Sequence, residues 1–90
     1  MPFLVANRHF EIHHASDVST RNGLGWELVE ITASGRVLLI EIFRHDALKK
    51  IDFATFAAVD IPFEAIEILW HDFITTDGKE FIDESKWLNE

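Results

Sequence analysis

Alternating segments between residues 8 and 32, a β-rich apolar run at 37–43 and a helical apolar periodicity over 63–74 together predict an α+β fold. The predicted architecture is a four-stranded antiparallel meander packed by one C-terminal amphipathic helix (ββββα), with a short docked tail. A chain of 90 residues has room for one domain, here 1–90. It hides roughly 60–70% of its unfolded surface on folding, enough for a single thin core. Its hydrophobic fraction, 48%, suits a globular chain and exceeds what a disordered one carries.

The first predicted strand covers 8–15, with Phe10 and Ile12 on one face and His9, Glu11 and His13 on the other. Asn22-Gly23 tolerates positive φ at both central positions of a tight turn and predicts a hairpin there. A second strand over 25–32 has a slipped pattern: Trp26 and Leu28 share one parity, Val29 and Ile31 the other. A β-bulge near Leu28, or cover on both faces, accounts for the slip. Ala33-Ser34-Gly35 supplies the next turn, and Val37 to Phe43, with Glu41 as its one charge, is the central strand. His45-Asp46-Ala47-Leu48 forms a loop, after which Ile51, Phe53 and Thr55 alternate with Asp52, Ala54 and Phe56 as the fourth strand. Short connections throughout favour antiparallel neighbours.

Asp60 is placed to cap the helix, Pro62 fits its first turn, and Glu64 and Glu67 complement the positive end of the dipole. At 100° per residue, Phe63, Ile66, Leu69, Trp70, Phe73 and Ile74 gather on one half-turn, and Glu64, Glu67 and His71 oppose them. Asp77-Gly78 ends the helix, glycine being the usual left-handed residue there. The tail from 79 to 90 carries Phe81, Ile82, Trp87 and Leu88 and is predicted to lay Trp87 on the core.

Composition excludes several classes of function. The chain contains no cysteine, which removes disulfides, thiolate zinc sites and thiol nucleophiles. Its apolar runs fall far short of the roughly 20 residues that span a bilayer, and residues 1–10 lack a signal-like core. A cytoplasmic location is therefore expected. The formal net charge is −8, and it is uneven: residues 1–45 hold five acids against four arginines, residues 46–90 eleven acids against four lysines. Such a field repels nucleic-acid backbones and anionic lipid, so neither is an expected partner. It suits a soluble domain first, and as the sharper reading an acidic docking face for a basic protein.

Candidate chemistry is sparse. His9, Glu11 and His13 are of types that bind zinc, but alternate side chains on one strand lie roughly 7 Å apart and a solvated strand face explains them as well. His13-His14 places two rings on opposite faces, with His14 on the side of Phe10 and Ile12. Ser34 lacks the Gly-x-Ser-x-Gly elbow of a nucleophile, and Gly23-Leu24-Gly25 has Leu28 where a phosphate loop requires glycine. The pairs Glu64 with Glu67 and Asp83 with Glu84 are predicted on solvated faces, without the cleft that acid–base catalysis uses. No cofactor, metal or catalytic residue is expected. Ile68, at the edge of the polar arc, stands out: with Glu64, Glu67, His71 and Asp72 it forms an apolar anchor ringed by acids, a candidate partner-binding surface.

The run Phe43-Arg44-His45-Asp46, Ile51-Asp52-Phe53 and Asp60-Ile61-Pro62-Phe63-Glu64 resembles a pattern in short bacterial proteins of unknown function. There an Arg-Asp turn, a Phe/Thr strand and an Asp-Ile-Pro helix start follow in that order; the resemblance implies a local structure and no activity. The sequence thus predicts a non-enzymatic protein-interaction module, an inhibitor or immunity-like binder of a basic partner. The alternative is a small-ligand or metal-responsive regulator on the His9/Glu11/His13 face. The first strand, as a sheet edge, also offers itself to a second copy of the chain as a homodimer contact.

Overall fold

The structure is a computed structural model and describes residues 2–82. Among the described residues it is an α+β fold with five strands rather than the four predicted, β1 (Phe3–Val5), β2 (Arg8–Asp17), β3 (Gly23–Thr32), β4 (Gly35–His45) and β5 (Lys50–Thr55), and one helix, α1 (Phe63–Thr75). The strands lie in sequence order in one antiparallel meander. Trp87 and the rest of the predicted docked tail from residue 83 lie outside the described residues.

The additional strand is β1. It joins β2 through a two-residue turn at Ala6 (φ 50°) and Asn7 (φ 62°), the double left-handed geometry of a type I′ hairpin. That geometry was expected at Asn22-Gly23. There only Asn22 is left-handed, and Gly23 starts β3 directly beneath the Arg44 carbonyl, where a Cβ would come within 1.8 Å of the oxygen. Asp17 organises the intervening loop, its carboxylate accepting from the Ser19 and Thr20 N–H groups at 3.2 and 3.1 Å.

The slip near Leu28 has a definite cause. Leu28 pairs with Ile40 and Val29 with Leu38, so β4 carries Leu39 as an extra residue. Leu28 and Val29 are both buried although they face opposite sides.

One face of the sheet meets the helix. Phe10, Trp26, Leu28, Ile40 and Ile42 pack there against Ala65, Leu69 and Phe73. The helix is turned by roughly 80° from the orientation its large apolar residues predict, taking 100° per residue. Its buried centre is Ala65, Leu69 and Phe73, while Phe63 and Trp70 are exposed. The reason is spatial: Phe10 and Trp26 already fill the middle of the sheet, and a small residue such as Ala65 lets the helix approach them. Trp26 then meets Phe73 edge-on, with ring centroids 4.8 Å apart.

The helix ends also differ from expectation. Pro62 stands at the N-cap position and no side chain caps the first turn, so Asp60 does not serve that role. At the C-terminus Asp77 takes the left-handed conformation (φ 60°), and Gly78 N–H donates to Phe73 O at 2.7 Å in a Schellman-type closure. Gly78 is required for a different reason, because a Cβ would lie 2.4 Å from the Phe73 ring. Arg44, buried in β4, fastens this end to the sheet by donating from Nη1 to the carbonyls of Asp77 (3.1 Å) and Gly78 (3.3 Å).

Candidate functional site

The turned helix leaves an apolar groove of about 700 Å³ between α1 and β5. Its floor is Ile42, Ile51 and Phe53; its wall is Ile66, Trp70 and Ile74, with Phe63 at the helix start. Three of these side chains are largely open to solvent: Phe53 (58% exposed), Phe63 (70%) and Trp70 (48%). Aromatic surface on this scale, gathered along one cleft, is uncommon on a small soluble domain. The groove arises because α1 sits over β3, at the centre of the sheet, and leaves β5 uncovered.

Charge around the groove follows from a sorting of ion pairs. Every arginine among the described residues is engaged: Arg8 with Glu30 (2.8 Å), Arg21 with Glu41 (2.7 Å), Arg36 with Glu11 (3.0 Å) and Arg44 with Asp46 (2.8 Å). Lys50 lies 3.3 Å from Asp52, and Lys79 lies over the Trp70 ring at 5.4 Å. The carboxylates left without an ion-pair partner among the described residues are Glu27, Asp60, Glu64, Glu67, Asp77 and Glu80. All but Glu27 belong to the helix or its flanks. Glu67 lines the groove and Glu64 lies one turn before it on the helix, so these two of the six stand along the groove's lip.

The predicted partner surface is split by this arrangement. Glu64, Glu67 and His71 are exposed together. Ile68 is not an exposed anchor: it is half-buried against the core. Asp72 also turns inward, toward β2, where its Oδ2 lies 2.5 Å from His14 Nε2. The large apolar side chains that α1 does expose are Phe63 and Trp70, which the apolar stripe assigns to the core. Ile68 itself carried the missed signal: an apolar residue so far round the helix shows that more than one face is apolar.

The opposite sheet face holds the residues proposed for metal binding. Glu11 is held by Arg36 and lies 3.4 Å from the His13 ring, while His9 is exposed nearer the strand start. Among the described residues no group of three or more ligand-type side chains is placed to hold a metal ion. The His13 hydrogen bond and then Arg36 hold the Glu11 carboxyl below the ordinary carboxylate range. The hydrogen bond from Arg8 does the same for Glu30. Hydrogen bonds from Thr20, then Arg21, hold Asp17 well below its ordinary value. Beside them the Arg21 guanidinium carbon lies over Phe43, 3.7 Å from the ring centroid, and the group donates to the buried Glu41 carboxylate.

The expected edge is also altered. β1 pairs with Arg8, His9 and Phe10, so among the described residues only the later part of β2 is left unpaired on that side, and it presents Glu11, His13, His14 and Asp17. Among the described residues β5 forms the other edge of the sheet. No helix among the described residues is long and apolar enough to cross a membrane. Neither a protein-family model, nor a curated protein, nor a solved structure matches the chain.

Proposed function

We propose that this chain is a non-catalytic interaction module whose groove between α1 and β5 binds a basic segment of a partner protein. One observation carries the reading: Phe53, Phe63 and Trp70 stand exposed along a single cleft, with Glu64 and Glu67, which have no ion-pair partner among the described residues, on its lip. Apolar anchors in a cleft within a polar rim are the usual anatomy of a protein interface. Covering the aromatic surface supplies the hydrophobic term, and the acids select the sign of the partner and speed its encounter. A net charge of −8 favours an inhibitor or immunity-like role against a cationic protein in the cytoplasm.

The test is retention from a lysate of the native host by the immobilised native chain, by Glu64→Lys/Glu67→Lys and by Glu80→Lys. A protein with a strongly basic surface is expected on the native chain and on Glu80→Lys, eluting by about 0.5 M salt as screening shortens the reach of the charges. The same protein should be lost from the double variant. Equal retention by native and double variant contradicts the proposal.

A further inference from the structure

We infer that the segment bound in this groove is extended and joins the sheet along β5 as a sixth strand. The inference rests on the groove being the binding site and adds how the partner is recognised. β5 is hydrogen-bonded to β4 on one side, and no described strand lies on its other side. Phe56 N–H donates to Leu39 O at 2.9 Å. Antiparallel alternation from that bond directs the Ala54 and Asp52 amides inward, towards their partners Glu41 and Phe43. It turns the N–H and C=O groups of Ile51, Phe53 and Thr55 to the free edge.

Those same residues share the helix side of the sheet, since Phe53 lies opposite the core residue Ile42. A strand laid on this edge therefore gains backbone hydrogen bonds at Ile51, Phe53 and Thr55. Every second side chain of that strand enters the groove against Phe53, Phe63 and Trp70. A helix laid in the same place would cover those amides without pairing them.

The edge has few of the usual defences against pairing. β5 contains no proline, and its register with β4 runs without a shift from Lys50 opposite His45 to Thr55 opposite Ile40. Its two charges, Lys50 and Asp52, neutralise each other. A second copy of the chain would bring a further −8 to a groove already bordered by Glu64 and Glu67. The occupant that fits is a partner segment with apolar residues at alternate positions and Lys or Arg near the helix start.

The test is selection of a displayed library of random decapeptides on the full chain. Enriched sequences are expected to alternate apolar residues at every second position, with Lys or Arg towards one end. A synthetic peptide of that sequence should slow amide exchange at Ile51, Phe53 and Thr55 by about 10-fold or more. Methylating its backbone nitrogens in one of the two alternating phases should weaken binding about 10-fold, the other phase having little effect. Enrichment of apolar residues three and four apart, sensitive to Glu67→Lys but without protection of β5, overturns strand addition and leaves the groove reading intact. Enrichment of no peptide overturns both, and a concentration-dependent dimer in light scattering would then assign the edge to a second copy.

Discussion

Trp26 Nε1 donates a 2.8 Å hydrogen bond to Thr76 Oγ1, so the residue that fills the centre of the sheet also fixes the end of the helix. Thr76→Val removes the acceptor and leaves an indole N–H of a fully buried ring without its partner. The expected loss is about 1–2 kcal/mol in urea unfolding, with Thr76→Ser within about 0.5. Equal losses for the two variants would show that the hydroxyl is not what matters.

Glu41 is 1% exposed, on the sheet face that the helix does not cover, and Arg21 is its ion-pair partner there. Arg21→Met should cost about 2–4 kcal/mol, because it strands a buried carboxylate. Adding Glu41→Leu to the same chain should recover most of that loss, since apolar groups of similar shape then fill the site. The pair of urea titrations gives the coupling directly.

Acid stability has a defined sign. Glu30 titrates lower in the folded chain than its ordinary value of 4.5, held down by Arg8. A depressed carboxyl contributes stability that is fully present above the unfolded value and is lost as pH falls through the folded one. The urea midpoint should therefore be flat above about pH 5.5 and fall below about pH 4.5. Glu11 and Asp17, both also lowered, add to the same trend. Glu30→Gln should be less stable at pH 6 and show a shallower fall; parallel profiles for the two proteins would remove the Arg8–Glu30 pair from the explanation.

The turned helix separates two adjacent residues. Leu69 is fully buried and Trp70 half-exposed. Leu69→Ala should cost about 2–5 kcal/mol, whereas Trp70→Ala should stay within about 1. Comparable losses in urea would restore the orientation that the apolar stripe alone suggests.

The strands were legible where periodicity and turn residues agree. Phe10 and Ile12 face the helix, His9, Glu11 and His13 face away, and the slip at Leu28 and Val29 marks a real irregularity, opposite Leu39. β1 escaped because Phe3–Val5 is too short to show a period and Ala6-Asn7 lacks the glycine that usually marks such a turn. A helix stands where the pattern predicts one, but the residues that close its two ends differ from those expected, and its rotation was set by Phe10 and Trp26 from other strands. Sequence periodicity within 63–74 holds no information about that packing. The acidic half of the candidate site, Glu64 and Glu67, was legible as a polar arc. Its apolar half was hidden, because Phe63 and Trp70 look like core residues until Ala65 takes the contact with the sheet.

The most direct measurement is the affinity of the basic protein retained by the native chain, for native and Trp70→Ala, with melting temperatures taken alongside. Binding through the groove predicts a loss of about 30-fold or more, the roughly 2 kcal/mol of an aromatic hot spot, with Tm lowered by no more than about 5 °C. Equal affinities for the two proteins would place the partner elsewhere on the surface and contradict the groove.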